Sequence, residues 1–155
     1  MTISLRSLLP GDQEFLFQLY ASIRGEEFAA LGWSAAQLDA FLRMQFAAQQ
    51  QWYATAYPRA EHQIVLLDAA PIGRMIVHSG EGAATLVDIP LLPAHRSRGI
   101  SGDLLRSLLE GCAKARTKVK LHVLKSNRAA RLYERLGFVK TGEDEMYFHM
   151  EKPFE

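Results

Sequence analysis

Apolar residues recur along the chain at two spacings, and these spacings predict four helices and seven strands. Steps of three and four residues are typical of a helix with one buried face, whereas alternation or a short apolar run is typical of a strand. The predicted helices cover residues 15–23, 34–52, 100–112 and 129–136. The predicted strands cover residues 3–5, 64–67, 72–77, 85–92, 119–124, 138–141 and 146–150. Because no linker or repeat interrupts them, we expect one α/β domain with a mixed sheet over residues 1–155.

Residues at the ends of these segments indicate where several elements begin or end. Ser34 and Gln37 form a capping box, which predicts the start of the second helix there. The polar, proline-bearing connection at residues 68–71 joins two strands and predicts a hairpin. Pro90 and Pro93 lack the backbone N–H that a regular ladder needs, so we expect the fourth strand to bulge or splay near its end.

The composition is that of an ordinary soluble globular protein, and it argues against several functions. Of the 155 residues, 48% are apolar and 23% are charged, with a net charge of +1. A nucleic-acid binder usually carries a basic stripe, which this balance does not favour. No apolar run approaches the roughly 20 residues of a membrane helix, and residues 1–9 lack the apolar core of an export signal. The single cysteine, Cys112, fits a reducing compartment, so we expect a cytoplasmic protein.

A short loop before the third helix is the clearest chemical feature of the sequence. Glycines at 99 and 102 let backbone N–H groups approach an anion closely, and the positive end of the helix dipole adds attraction. Arg96 and Arg98 supply local positive charge that suits a pyrophosphate. The residues expected to contact it are Arg96, Ser97, Arg98, Gly99, Ile100, Ser101 and Gly102. Such a loop also occurs simply to start a helix, and its pattern alone leaves both interpretations open.

A second motif follows one strand later and changes the interpretation of the loop. It begins at Asn127, continues with Ala130 and Tyr133 in the next helix, and ends in Leu-Gly-Phe at residues 136–138. The two motifs together, at this separation, resemble the GNAT superfamily of acyl-CoA-dependent N-acyltransferases. The order of predicted elements agrees with that family over nearly the whole chain.

The loop matches the same family at two of its three marked positions. The pyrophosphate loop of the family has Arg or Gln, two residues, Gly, one residue, and Gly or Ala. Arg96 and Gly99 occupy the first two positions, but Ser101 stands at the third. Its hydroxyl either crowds the pyrophosphate or hydrogen-bonds to it. Because Gly102 follows directly, we expect binding to survive.

The resemblance implies a GNAT-like fold, with a mixed, mostly antiparallel sheet of about seven strands flanked by four helices. It also implies that acetyl moves from acetyl-CoA to a primary amine by direct transfer in a ternary complex. The pantetheine arm of the cofactor is then expected to pair with the backbone of Leu91 and Leu92. Further cofactor contacts are expected at Asn127, Ala130 and Tyr133.

Tyr133 is the predicted proton donor to the leaving thiolate, as the resemblance implies. Its ordinary pKa of about 10 is close enough to that of a thiol for proton transfer. The alternative is that Tyr133 is only an aromatic residue in an apolar helix face. For the base that deprotonates the amine, the acidic candidates are Asp88 in the fourth strand and Glu27 in the loop between the first two helices. The neighbouring Glu26 and a chain of water molecules are the alternatives.

Two residue types could suggest other chemistry, which their positions do not support. Cys112 falls on the apolar face of the third helix, where cysteine behaves as a small hydrophobic residue, so no covalent acyl-enzyme is expected. The histidines are dispersed without the paired spacing of a metal site, so no metal is predicted. They stand at positions 62, 78, 95, 122 and 149.

An N-acetyltransferase is therefore the leading hypothesis. A rival is a CoA-binding sensor or interaction module without turnover, which the departure at Ser101 favours. A purely structural α/β domain would leave both motifs without a purpose. No nucleic-acid or membrane partner is expected. The amine acceptor, the length of the acyl group and the oligomeric state, for which a homodimer is one option, cannot be derived from the sequence.

Overall fold

Seven strands and four α-helices make up the residues that the computed structural model describes, 2–155. The strands are β1 (Ile3–Ser7), β2 (Glu61–Leu67), β3 (Ala70–Ser79), β4 (Ala83–Asp88), β5 (Lys118–Leu124), β6 (Val139–Glu143) and β7 (Tyr147–Lys152). The α-helices are α1 (Gln13–Arg24), α2 (Ala35–Ala56), α3 (Ile100–Lys114) and α4 (Ala129–Arg135). Short 3-10 helices cover Pro10–Asp12, Gly25–Leu31 and Pro93–His95. Met1, the first residue of the segment 1–9 considered in the sequence analysis, lies outside the described residues.

The strands form one mixed sheet in the order β1-β2-β3-β4-β5-β7-β6. Pairing is antiparallel between β1 and β2, between β5 and β7, and between β6 and β7, while β4 and β5 run parallel. The parallel strands are connected through α3, because parallel neighbours need a long crossover. The predicted α/β fold with a mixed, mostly antiparallel sheet is confirmed.

The chain divides into two compact units. The first unit contains the chain up to Ile76 together with Ile89–Arg98, and the second contains Val77–Asp88 together with Gly99–Glu155. The first unit therefore holds β1, β2, α1, α2 and most of β3. The second unit holds β4 to β7 with α3 and α4. The loop before α3 is divided between the units after Arg98.

Helix α2 begins where its capping box predicts. The N–H of Gln37 donates to Ser34 Oγ at 3.1 Å, and the N–H of Ser34 donates to Gln37 Oε1 at 2.9 Å. Its buried residues are Leu42 and Tyr53, and Trp52 is 55% exposed. About three helical turns separate Leu42 from Tyr53, so these two lie on one face of α2 and the apolar side chain of Trp52, next to Tyr53, turns away from it. Neither α2 nor any other helix in the described range has the length and apolar content needed to cross a membrane.

The hairpin between β2 and β3 is tighter than the sequence indicates. Asp68 and Ala69 both have positive φ, 49° and 73°, which is typical of a two-residue turn. Asp68 also ties the turn to the start of the chain, since its Oδ1 accepts the N–H of Thr2 at 2.7 Å. Pro71 therefore lies inside β3 rather than in the connection.

The turn between β6 and β7 is centred later than predicted. Asp144 Oδ1 accepts the N–H of Met146 at 2.9 Å and that of Tyr147 at 2.8 Å. This turn starts β7 at Tyr147 and lets β6 continue through Glu143. Gly142 and Glu143, which lie between the two predicted strands, therefore belong to β6.

Strand β4 ends at Asp88 rather than at Leu92, and the chain beyond it stays attached to β3. Leu91 forms an isolated antiparallel bridge to Gly73. Two backbone hydrogen bonds flank this bridge, Arg74 N–H to Pro90 O at 3.0 Å and Leu92 N–H to Ile72 O at 2.8 Å. A residue between two such bonds directs its own N–H and C=O away from the partner strand. The interruption near Pro90 agrees with the prediction, and it leaves the backbone polar groups of Leu91 facing away from β3.

Replacing Gly73 with alanine should disrupt this bridge. A Cβ at position 73 would lie 2.5 Å from both Leu91 Cδ2 and the Pro90 carbonyl oxygen, well inside van der Waals contact. We expect Gly73→Ala to lower the free energy of unfolding by about 1–3 kcal/mol, the usual cost of overpacking, as measured by urea denaturation. Gly111→Ala in α3 is the matched control, because nothing lies within 4 Å of a Cβ there. Equal losses in both variants would contradict the argument.

The acid stability of the first unit depends on Asp12. Its carboxylate accepts two guanidinium N–H groups of Arg6 at 2.8 Å and the Leu9 N–H at 2.7 Å. The Arg6 contact, followed by the Leu9 contact, lowers the pKa of Asp12 from 3.8 to about 2. Because the folded pKa lies below the unfolded one, this stabilisation is complete above pH 3.8 and is lost as the pH falls through about 2. We expect Asp12→Asn to lower the urea midpoint at pH 7, by an amount that shrinks toward pH 2, whereas Asp39→Asn has little effect at either pH.

Candidate active site

Helix α3 begins with an open N-terminus. Gly99 stands at the cap position with φ of 80°, a left-handed conformation that glycine adopts without strain, and no side chain caps the helix. The first intrahelical bond runs from the N–H of Asp103 to the Gly99 carbonyl at 3.0 Å. The preceding N–H groups, those of residues 100–102, have no carbonyl one turn earlier in the helix to bind. This is the arrangement by which a helix start binds an anion.

Gly102 and Arg106 shape the first turn of α3. Gly102 is buried, and an added Cβ would lie 3.5 Å from an Nη atom of Arg106. The Arg106 guanidinium therefore lies beside the helix start, where it also pairs with Asp103 at 2.9 Å. Sequence reasoning missed Arg106, although the spacing of four residues between Gly102 and Arg106 is the signal that could have indicated it.

Short-range hydrogen bonds hold the loop residues of the first unit, among them Arg96 N–H to the Pro93 carbonyl at 3.3 Å. Arg96 Nε donates to the Leu91 carbonyl at 3.3 Å, so this side chain ties the loop to the residue that bridges β3. Ser97 has φ of 60°, a left-handed conformation at a residue that is not glycine. Arg98 is exposed.

Asn127 positions the start of α4. Its Oδ1 accepts the N–H of Ala129 at 2.9 Å, and its carbonyl accepts the N–H of Ala130 at 3.3 Å. These bonds satisfy N–H groups of the first turn, which is the role of a helix-capping residue. Ala130 is half-buried. Asn127 thus sets the direction of the short helix that carries Tyr133.

Tyr133 is buried and protonated. Its side chain is 8% exposed, and its ring packs edge-on against Phe138 with centroids 5.7 Å apart. Burial, and after it the charge of Asp88, raises the pKa of Tyr133 to about 12. The phenol therefore keeps its proton throughout the neutral range, which is the form that a proton donor requires.

The two predicted acidic residues lie in different environments. Asp88 is the last residue of β4 and is half-buried, close enough to Tyr133 for its charge to act on the phenol. Glu27 lies in the 3-10 helix Gly25–Leu31, where the sequence predicted a loop. Its exposed carboxylate forms an ordinary surface ion pair with Arg24 at 3.4 Å.

Cys112 lies half-buried on α3, where the apolar face was predicted. Burial raises the pKa of its thiol, so the thiolate that a nucleophile needs is disfavoured. With Ala84, Leu108 and Thr117 it lines an open groove of about 370 Å³ in the second unit.

The histidines are less dispersed than their spacing suggests. His122 and His149 stack with ring centroids 4.2 Å apart, because β5 and β7 pair antiparallel and bring these positions opposite each other. Within residues 2–155, no group of three or more His, Cys, Asp or Glu side chains is arranged to hold a metal ion.

The fold, with its open and glycine-led helix start, is that of an α/β acyltransferase that uses an acyl-CoA donor. A family model described as an acetyltransferase (GNAT) domain matches residues 30–150, so the chain belongs to the GNAT acetyltransferase family. The resemblance inferred from the two motifs is confirmed. No curated protein matches the chain.

Solved structures of N-acetyltransferases share the fold over nearly the whole chain. The PaiA N-acetyltransferase of Thermoplasma acidophilum, solved in complex with coenzyme A, is 21% identical, with 99% of each chain covered and a TM-score of 0.72. The ribosomal-protein-S18-alanine N-acetyltransferase of Escherichia coli is 22% identical, with 99% and 95% covered and a TM-score of 0.67. A spermidine N-acetyltransferase chimera from Vibrio cholerae and hSSAT is 20% identical, with 99% and 96% covered and a TM-score of 0.70. At these identities the likeness establishes the fold.

Proposed function

We propose that the 155 residues act as one domain that moves acetyl from acetyl-CoA to a primary amine by direct transfer. Membership of the GNAT family supports the donor and the type of reaction. The amine attacks the thioester carbonyl carbon, the carbon–sulfur bond breaks, and the leaving thiolate takes up a proton. Holding the amine and the thioester together supplies much of the acceleration, since it lowers the activation barrier by about 7 kcal/mol in favourable cases.

The observation that carries this proposal is the buried, protonated phenol of Tyr133. A phenol with a pKa of about 12 does not lose its proton to water at neutral pH. It donates a hydrogen bond to the negative charge that develops on sulfur. Because its pKa lies above the ordinary value of about 10, transfer of its proton to the thiolate is less favourable than from an ordinary tyrosine, and the hydrogen bond is its larger contribution. A neutral donor also needs no counterion, which suits a site that excludes water.

The cofactor is proposed to bind along the segment from Leu91 to Gly102. Its pyrophosphate takes the N–H groups at the start of α3, assisted by the loop residues Arg96, Ser97, Arg98, Gly99, Ile100, Ser101 and Gly102. For the pantetheine arm, Leu91 supports the proposal best, because its N–H and C=O face away from β3; the C=O also accepts Arg96 Nε at 3.3 Å, so the N–H is the group offered to the cofactor. The N–H of Leu92 already donates to the Ile72 carbonyl at 2.8 Å, and the Leu92 carbonyl accepts the N–H of His95 at 2.9 Å, so Leu92 has the weaker support of the two.

The second motif supports the donor site through helix geometry. Asn127 and Ala130 are proposed to orient α4 against the cofactor, because the Asn127 side chain and carbonyl bond the first turn of that helix. Asp88 and Glu27 remain the acidic residues proposed near the amine. Of the two, Asp88 has the better support, because its charge acts on the Tyr133 phenol, whereas the Glu27 carboxylate is exposed.

The alternative function is a CoA-binding sensor without turnover. Ser101, where the family prefers Gly or Ala, favours it, since a hydroxyl in the pyrophosphate loop alters how the donor is held. The proposed setting for either function is the cytoplasm, with no nucleic-acid or membrane partner and a homodimer as the oligomeric state to test by sedimentation.

Release of free thiol from acetyl-CoA separates the two functions. The panel of amines includes spermidine and a peptide with an N-terminal alanine, acceptors named for two of the structurally similar proteins, together with an aminoglycoside and an arylalkylamine. Amine-dependent thiol release establishes the transferase. Binding of coenzyme A by calorimetry without release for any amine supports the sensor. No heat with coenzyme A or acetyl-CoA overturns both.

A further inference from the structure

Two histidines far apart in the sequence meet on one face of the sheet. His122 of β5 is paired directly with His149 of β7, and their rings stack with 22° between the planes. His122 is exposed and His149 is partly exposed. Two imidazoles at this distance repel each other when both are protonated, so His149 disfavours the protonated form of His122.

Asp144 orients this pair from one end. Its Oδ2 lies 3.1 Å from His149 Nε2, while its Oδ1 is held by the N–H groups of Met146 and Tyr147. The His149 contact and these two backbone contacts lower the pKa of Asp144 to about 2, so the carboxylate is charged at neutral pH. A charged acceptor at this position keeps a proton on Nε2 of His149 and so selects its tautomer. Along the surface, the Asp144 carboxylate comes first, then the His149 ring, then the His122 ring.

The pair lies where β4 and β5 separate within the second unit. The last register pair between these parallel strands is Leu86 with Leu121, and His122 is the next residue of β5. Strand β4 continues for two residues to Asp88 and ends there. A ligand that pairs with β4 beyond Leu86 therefore lies beside His122.

His122 and Tyr133 lie on opposite faces of this part of the sheet. Side chains alternate along a strand, so His122 points away from the face that the buried Leu121 occupies. The register places Leu86, and two residues later Asp88, on the Leu121 face. Tyr133 belongs to that face as well, because α4 contacts β5 and the Asp88 charge raises the phenol pKa.

We propose that His122 is the base that accepts the proton of the acceptor amine, with His149 and Asp144 as its positioning residues. This inference rests on the proposed function and names the base for the same reaction. As the amine nitrogen bonds to the carbonyl carbon and the carbon–sulfur bond breaks, one proton moves from nitrogen to an imidazole nitrogen of His122. The sulfur takes its proton from Tyr133 on the opposite face. Solvent then carries a proton from His122 back to Tyr133, so that one amine proton ends on the coenzyme A thiol.

The chemistry of His122 suits this role. Although the residue as a whole is exposed, partial burial of its ring, and after it the neighbouring His149, lowers the pKa of His122, while Asp144 acts in the opposite sense. The imidazole is therefore neutral at pH 7 and has a lone pair to accept a proton. The other ionisable side chains on this face of β5 and β7 are Lys118, Lys120, Tyr147 and Glu151. Lys118 and Glu151 neutralise each other in an ion pair at 3.0 Å.

Asp88 then has a different part in the reaction from the one the sequence suggests. It shares the face of Tyr133, and its charge helps to keep the phenol protonated. A base on that same face would compete with the proton donor for one proton. Placing donor and acceptor on opposite faces avoids this competition.

His122→Gln tests the base directly, because glutamine has a similar reach and hydrogen-bonds but does not take up a proton at neutral pH. With the best acceptor of the panel we expect kcat to fall about a hundredfold, coenzyme A affinity to stay unchanged, and the acid limb of the kcat/KM profile to disappear. His149→Asn should cost less and should move the acid limb to higher pH, since His149 lowers the pKa of His122. A merely structural role of His149 predicts no such movement.

His78→Gln is the matched control for loss of a histidine from the sheet. It lies near the end of β3, beside the turn in which the Gly80 N–H donates to the Ala83 carbonyl at 2.8 Å. That turn lies at the start of β4, whereas His122 lies at the other end of the pairing between β4 and β5. We expect wild-type kcat and an unchanged pH profile in this variant.

A second measurement does not depend on the acceptor. In a proton–carbon NMR spectrum of the histidine rings, saturating acetyl-CoA should shift the signals of His122 and His149 and leave that of His78 in place. Unmoved His122 signals in the saturated complex overturn the inference, as does wild-type kcat with a wild-type pH profile in His122→Gln. In both cases amine-dependent thiol release by the natural chain would leave the proposed function standing. Absence of coenzyme A binding would instead remove the proposed function and this inference together.

Discussion

Tyr133→Phe is expected to lower kcat about a hundredfold while the dissociation constant of coenzyme A stays the same. Phenylalanine keeps the ring that packs on Phe138 and removes only the hydroxyl that serves the leaving sulfur. Because the side chain is 8% exposed, the substitution exposes little new apolar surface, and it removes a single oxygen atom. Steady-state kinetics with the best acceptor, together with calorimetry for coenzyme A, measures the two quantities separately.

The raised pKa of Tyr133 also predicts how the rate depends on pH. Burial raises the pKa of Tyr133 to about 12, so the donor stays protonated as the pH rises and causes no alkaline fall in rate below that value. Tyr147→Phe is the control, because this residue of β7 is 38% exposed, its hydroxyl has no part in the proposed transfer, and the substitution keeps the backbone N–H that holds Asp144. Equal kcat in natural chain and Tyr133→Phe, or an equal loss in both variants, would remove Tyr133 from the mechanism.

Features of the site that depend on local sequence could be predicted, and those that depend on strand pairing could not. The capping box at Ser34 and the glycine start of α3 at Gly99 involve residues within one helical turn, so their pattern is complete in the sequence. The helix that carries Tyr133 was predicted for the same reason, from its apolar spacing and the asparagine before it. What the sequence could not supply was how deeply the phenol is buried, since that depends on packing.

The pairing of His122 with His149 depends on the order of the strands in the sheet, so the sequence alone could not predict it. Each histidine stands alone in its strand, and only the order of β5 and β7 in the sheet brings the rings together.

The end of β4 was misplaced for a related reason. Two prolines predicted an interruption, but where it falls depends on Gly73 of β3, which allows the backbone at Pro90 to approach closely. An isolated glycine inside a predicted strand was the available signal for such an approach.

Ser101→Asp is expected to weaken coenzyme A binding at least about a hundredfold, equivalent to about 2.7 kcal/mol, without destabilising the fold. The residue lies in the first turn of α3, where the proposed pyrophosphate takes the open N–H groups. A carboxylate in the first turn interacts favourably with the helix dipole, by about 0.3–1 kcal/mol, so the thermal midpoint should hold or rise. The same carboxylate repels a pyrophosphate and competes for its N–H donors. Calorimetry and thermal unfolding of the same preparation measure the two opposite effects.

Two further variants decide what the result means. Ser107→Asp adds the same charge at an exposed position further along α3, so it should leave affinity nearly unchanged and excludes a general effect of charge. Ser101→Ala introduces a residue that the family accepts at this position, and it should retain or strengthen binding. Pantetheine, which lacks the pyrophosphate, should bind weakly to the natural chain and to Ser101→Asp alike. If the Asp variant instead bound coenzyme A as tightly as the natural chain, the pyrophosphate would not lie at the start of α3. A carboxylate and a pyrophosphate that share those N–H groups repel each other, so the affinity for coenzyme A would have to fall.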